Sequence, residues 1–213
     1  MNNDHSSVAI YRRRLPHLFV KDYPVFVTWR LHFTLPKYVL ISLQAQKDEL
    51  DRKCEKLSEE YKRMQKYQHD KKQFAWFDEL MITDPDFPTL LKEDHLARIV
   101  MDALRYFDTK RYHLHAYTIM PNHVHSLLTP VCKDADIKGV ASKITYSIKR
   151  FTANRINKEI GTNGHVWSSE NYDHLVRNES EFFRIVSYIL QNPVKANYVC
   201  HSPIFKKGVL LVG

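Results

Sequence analysis

An α+β fold, an antiparallel sheet with helices packed on it, follows from two features of this 213-residue sequence. Runs of strand-like residues alternate with runs of helical apolar spacing, and one pair of strands is joined tightly enough to be a hairpin. With 44% hydrophobic and 12% aromatic residues the chain has material for a core, and its length suits one domain. We therefore expect a single domain over 1–213 with a helical insertion at about 38–90.

The first strand is "PVFVTWRLHF" (24–33), rich in β-branched and aromatic residues and bounded by Pro24 and Pro36. From 38 to about 72 the pattern predicts one long charged helix. Leu43, Leu50, Leu57 and Met64 recur every seventh residue, with Cys54 and Tyr61 between them and Lys47 interrupting the seam. Such a seam suits a hairpin arm, a dimer contact or a solvated helix. "TDPDFPTLL" (83–91) is a turn, and a helix follows over about 92–108 with Leu96, Ile99, Val100, Ala103, Leu104 and Phe107 on one face. "YHLHAYTIM" (112–120), Pro-Asn and "HVHSLLT" (123–129) form the hairpin. Residues 134–159 predict a helix whose apolar stripe is Ile137, Val140, Ala141, Ile144, Ile148 and Phe151. Residues 165–177 are irregular or strand-like. A last helix begins near Glu179 and is expected to stop at Asn192, because Pro193 disfavours helical geometry before it.

Net charge is +8 with a pI of about 9.3, which favours a polyanionic partner. Within 138–158 the cations Lys138, Lys143, Lys149, Arg150, Arg155 and Lys158 meet no acid, and Tyr146, Asn154 and Asn157 are interleaved. A helix of one sign repels itself unless it meets phosphate, so this segment is read as a nucleic-acid contact; Arg12, Arg13 and Arg14 either add to it or form a tail. The three cysteines match no zinc spacing. Their odd number and the lack of an apolar signal segment at the N-terminus fit a reducing cytoplasm. No run approaches the ~20 apolar residues of a membrane span.

Two residue groups could carry chemistry. His123 and His125 alternate on a strand and so share one face, as a hydrogen-bonded pair or as two metal ligands. His113 and His115 repeat the spacing but are read as sheet surface. On the last helix Phe182, Phe183, Ile185, Val186, Ile189 and Leu190 cluster on one side, leaving Tyr188 on a polar stripe with Arg184 and Gln191; Asn192 lies one turn beyond.

The segments "MPNHVHSLL", "KRFTANRINKEIG", "GHVWSSENYDHLVRNESEF" and "YILQNPVKANYV", in this order, resemble the REP-associated tyrosine transposases, members of the single-tyrosine HUH class (histidine, hydrophobic residue, histidine). The resemblance runs from about 24 to 200 and implies a ferredoxin-like domain in the bacterial cytoplasm acting on single-stranded or hairpin DNA, as monomer or homodimer. It implies that His123, His125 and Asn192 hold a divalent ion, Mg²⁺ or Mn²⁺. Asn192 stands where transposases of the wider class carry glutamine, which makes Gln191 the fallback ligand. Tyr188 is the implied nucleophile, forming a 5′-phosphotyrosine. Lys143, Lys149, Arg150, Arg155, Lys158 and Arg184 are the expected DNA contacts, and Arg184 is also a candidate for lowering the phenol pKa. With a phenol pKa of ~10, forming the nucleophilic phenolate at neutral pH costs ~4 kcal/mol. Two rival readings are a non-catalytic DNA-binding protein of the same fold and a metallohydrolase using His123 and His125 with a water nucleophile, for which Asp173 with His174 is the adjacent acid–histidine pair.

Overall fold

The computed structural model describes residues 8–12, 16–20, 22–131, 139–196 and 204–205. The chain divides into two compact units, Phe33–Phe87 and the remainder.

In the larger unit a short hairpin pairs β1 (Val8–Arg12) with β2 (Pro16–Val20). The main sheet contains β3 (Val25–Leu31), β4 (Tyr112–Ile119), β5 (His123–Pro130), β6 (Trp167–Leu175) and the two-residue β7 (Ile204–Phe205). Its order is β6-β3-β5-β4-β7 and every pair is antiparallel. With α3 (Asp94–Phe107) and α4 (Val140–Ile160) the connectivity β3-α3-β4-β5-α4-β6 gives the ferredoxin-like α+β fold.

The strand registers assign the two faces. Val25, Val27 and Trp29 pair with Leu128, Ser126 and Val124, while Phe26, Thr28 and Arg30 pair with Leu127, His125 and His123. The first set meets α3 and α4. Tyr112 Oη donates to the Leu104 carbonyl at 2.8 Å, Arg105 Nε donates to Tyr117 Oη at 3.1 Å, and Trp167 Nε1 donates to Thr152 Oγ1 at 2.9 Å. α3 buries Leu96, Ala97, Val100, Ala103 and Leu104 there, at the spacing its sequence predicts. The second face is covered by α5 (Glu179–Lys195), which buries Phe182, Ile185, Val186 and Ile189.

α4 begins at Val140; Ile137, Lys138 and Cys132 lie outside the described residues, as do Arg13, Arg14 and Cys200. Its buried stripe is Val140, Ala141, Ile144, Ile148 and Ile156 with Thr145 and Thr152, whereas Phe151, assigned to the stripe from sequence, is 49% exposed. Gly161 ends the helix at φ 69°, its N–H bonded to the Asn157 carbonyl. No atom lies within 4 Å of where a Cβ would stand. Gly161→Ala should therefore cost only the backbone strain of the left-handed region, about 1 kcal/mol, readable as a lowered urea midpoint at unchanged slope.

α5 runs past Asn192 with Pro193 inside its last turn. So near the C-terminus a proline forfeits a single helical bond, and the Ala196 N–H still reaches the Asn192 carbonyl at 3.1 Å. Phe183, expected on the apolar side, is 51% exposed.

The unit Phe33–Phe87 holds two helices, α1 (Lys37–Cys54) and α2 (Glu59–Thr83), in place of the one long helix expected over 38–72. The break falls at 55–58, where Ser58 takes extended geometry and Glu59 and Glu60 complement the start of α2. The seven-residue seam does not form. Leu57 lies in the break, and Tyr61 and Met64 are 58% and 46% exposed. The unit's core gathers instead around Val39, Met81 and Phe87, with Phe33, Leu43, Trp76 and Phe77 packed on it. Apolar residues too thinly spread along the middle of a charged helix leave the packing to its aromatic end. Cys54 is a free, buried thiol.

Candidate active site

β5 starts directly after the Pro121-Asn122 connection, where the Leu31 N–H bonds the Asn122 carbonyl and the Met120 N–H bonds the His123 carbonyl, both at 2.8 Å. This fixes the strand's first residues, and the period of two then turns His123 and His125 toward α5. Both are completely buried, and their Nε2 atoms stand 3.0 Å apart.

The outer nitrogen of each ring is held. His123 Nδ1 is 2.7 Å from Asn122 Oδ1, which can only accept, so Nδ1 carries the hydrogen. His125 Nε2 lies 2.9 Å from Asn192 Nδ2, an amide nitrogen that donates, so this Nε2 accepts. The hydrogen of His125 is then on Nδ1, donated to Thr28 Oγ1 at 2.7 Å. Both Nε2 atoms thus present lone pairs to one another. Two lone pairs at this distance repel, and a shared positive charge relieves the repulsion. A half-turn of the buried Asn192 amide would bring its oxygen to the same point, completing an N, N, O donor set suited to a divalent ion. Arg30, the cross-strand neighbour of His123, adds a partly buried guanidinium on this face; burial lowers its pKa, yet an arginine stays charged.

α5 brings Tyr188 to the pair. Its ring lies edge-on to His125 at 5.4 Å and to Phe26 at 6.0 Å, and Phe26 stacks on His125 at 5.6 Å. Lys195 Nζ sits 5.9 Å from the centre of the Tyr188 ring. Tyr172, on β6, meets another edge of Phe26 at 6.4 Å.

Among the residues singled out from sequence, His123, His125, Tyr188 and Asn192 come together. Gln191 does not: it is exposed, while Asn192 is buried. Arg184 is 70% exposed with Nη2 3.5 Å from Glu181 Oε1, so its charge is directed toward that carboxylate. Lys143, Arg150, Arg155 and Lys158 are exposed on α4, on the sheet face opposite Tyr188. Lys149 is half-buried and donates to Asn171 Oδ1 at 3.0 Å and the Ser169 carbonyl at 3.3 Å, fastening α4 to β6. His174 bonds Glu181 at 2.8 Å, and as its strand neighbour Asp173 points to the opposite face of β6.

His115, read as sheet surface, is in fact buried at 2% exposure, bonded to Thr129 Oγ1 at 2.8 Å and packed on Phe182. A bulge between Leu114 and Ala116 inserts it beneath α5. Four residues of the site were not found from sequence. Asn122 was legible only as a turn residue, though it precedes His123. Thr28, Phe26 and Arg30 reach the histidines through strand pairing, which a single sequence does not display.

No protein-family model matches the chain. An uncharacterized protein of Haemophilus influenzae is 28% identical over 97 residues, covering 37% of this chain and 52% of that protein. The chain thus spans about half the length of the curated relative it matches. Among solved structures, a REP-associated tyrosine transposase bound to a REP hairpin aligns with a TM-score of 0.47 and 17% identity, covering 89% of this chain and 74% of that one. Among the described residues no helix is long and apolar enough to cross a membrane.

Proposed function

We propose that this protein nicks and rejoins single-stranded DNA through a covalent tyrosine intermediate. One observation carries the reading: the Nε2 atoms of His123 and His125 converge and that of His125 meets the Asn192 amide, one helical turn from a tyrosine whose ring abuts His125. The four sequence segments that resemble the REP-associated transposases support it. In the step we propose, the Tyr188 phenol gives up its proton to solvent as its oxygen attacks a backbone phosphorus, the P–O3′ bond breaks, and the leaving 3′ oxygen takes up a proton from solvent. One phosphodiester replaces another, so rejoining by the 3′-hydroxyl needs no nucleotide cofactor. A Mg²⁺ or Mn²⁺ ion held by His123, His125 and Asn192 would supply Lewis-acid polarisation of the phosphate. The chain's own contributions are fixed by packing: Phe26 and His125 hold the phenol ring, Thr28 and Asn122 hold the imidazoles, and Arg30 adds positive charge.

Lys143, Arg150 and Lys158 follow one ridge of α4, flanked by Tyr146 at 61% exposure and Phe151 at 49%. Cations interleaved with exposed rings suit a nucleic-acid strand or the stem of a hairpin. Because this ridge and Tyr188 lie on opposite sheet faces, it serves to hold DNA flanking the cleaved phosphate. Arg150→Ala is expected to weaken binding for all sequences alike and to reduce the slope of log K against log[salt] by about 1, measured by fluorescence anisotropy across a salt series. An unchanged slope would remove Arg150 from the contact.

The test of the reaction uses a hairpin-bearing single strand labelled at either end, with Mn²⁺ or EDTA. Transfer of the 3′-labelled fragment onto the protein, dependent on Mn²⁺ and abolished by EDTA, is the expected result. Cleavage that leaves a free 5′-phosphate and no adduct would overturn the tyrosine mechanism in favour of water.

A further inference from the structure

We propose that His174 and Glu181 are a positioning pair that sets the register of α5 on the sheet, and so the placement of Tyr188 and Asn192; the catalytic part of this inference rests on the function proposed above. His174 Nε2 and Glu181 Oε1 are 2.8 Å apart and each side chain is 8% exposed. The carboxylate is further tied down, accepting the Arg177 N–H on Oε2 at 3.0 Å, while the Glu181 N–H bonds the Asn178 side chain at 2.9 Å. On the sheet side His174 is the cross-strand neighbour of Phe26, the ring that touches both His125 and Tyr188. On the helix side Tyr188 and Asn192 follow Glu181 by seven and eleven residues, so all three lie within roughly 20° of one stripe at 100° per residue.

A buried polar pair of this kind adds little to stability by itself, because desolvation offsets most of the attraction; fixing a register is the better-attested use of such a pair. Apart from Asn192 near its far end, which bonds His125, the buried face of α5 is apolar, from Phe182, Ile185, Val186 and Ile189. Apolar contact is non-directional and tolerates slip. A slip of one residue would rotate Tyr188 by about 100° away from His125. The directional bond at the start of the helix removes that freedom.

The test compares full-length His174→Phe and His174→Gln with the parent protein. In metal-free protein carrying ¹³C-labelled histidine, the His125 ring resonances report the ring currents of Tyr188 and Phe26. Mn²⁺ titration calorimetry reports the donor set, and single-turnover adduct formation reports the phenol. For His174→Phe we expect displaced His125 resonances, weaker Mn²⁺ binding and an adduct rate about tenfold lower with DNA affinity unchanged. His174→Gln retains an N–H toward Glu181 and should recover most of the loss. If His174→Phe only lowers the melting temperature, leaving the resonances, Mn²⁺ affinity and adduct rate as in the parent, the pair serves the fold alone and the proposal falls. Should His174→Phe not fold, Glu181→Gln decides on the same readouts, unchanged values overturning the proposal and displaced ones supporting it. A parent protein that forms no adduct at all would defeat the proposed function, whereas the resonances and Mn²⁺ binding would still decide the register.

Discussion

Tyr188→Phe should abolish the covalent protein–DNA adduct while leaving DNA affinity and fold intact. The substitution removes one oxygen. The ring keeps its edge contacts with His125 at 5.4 Å and Phe26 at 6.0 Å, and with them the packing of α5. The bonds of the histidine pair to Thr28, Asn122 and Asn192 do not involve the phenol oxygen. Removing a nucleophile from an otherwise intact site typically costs on the order of 10⁴-fold or more in rate, about 5 kcal/mol of barrier. Adduct should therefore be undetectable in the time the parent protein takes for one turnover. The informative comparison is with Tyr172→Phe. Tyr172 contacts Phe26 at 6.4 Å from β6 and is a second phenol packed on that ring. If adduct persists in Tyr188→Phe and disappears in Tyr172→Phe, the nucleophile is on the strand rather than the helix.

The parts of the fold that were legible in the sequence are those whose residues carry their own periodicity. Alternation put His123 and His125 on one face of β5, and apolar spacing at i, i+3 and i+4 predicted α3 to within two residues at its start and one at its end, with Leu96, Val100, Ala103 and Leu104 in its buried face. The misread parts depend on partners. Whether Leu57, Tyr61 and Met64 form a seam depends on a facing helix of matching pattern, and here the aromatic end of α2 offers better packing to Val39 and Leu43. Strands β1 and β2 were missed because "VAIYR" and "PHLFV" are short and sit in a polar, arginine-rich stretch. At the site, spacing along one helix relates Tyr188 to Asn192, but the contacts of His125 with Thr28 and Phe26 cross between strands far apart in sequence. A side chain's neighbours across a sheet are a property of register, and register is set by the whole buried face.

His115 shows how a single inserted residue changes a group's chemistry, and it leads to a large expected effect on stability. By spacing alone His113 and His115 look alike; the bulge between Leu114 and Ala116 leaves His113 exposed and drives His115 under Phe182. Burial, assisted by the nearby His113 charge and opposed by Asp108, pushes the His115 pKa down from 6.5 to about 4. The imidazole is therefore neutral in the folded protein at neutral pH, bonded to Thr129. The unfolded chain binds this proton more readily than the folded one, so the group disfavours folding increasingly as pH falls. Its effect is absent above about pH 6.5, grows through the window between the two pKa values, and is complete below about pH 4, where it amounts to roughly 3 kcal/mol. For an ordinary domain that is a substantial part of total stability. Urea unfolding between pH 7 and about 4.5 should show a falling midpoint in the parent protein, and a flatter profile in His115→Gln, whose amide can still reach Thr129 but binds no proton. Equal slopes in the two proteins would assign the acid sensitivity to other groups and would mean that the native His115 site accepts a proton as easily as an imidazole in water does.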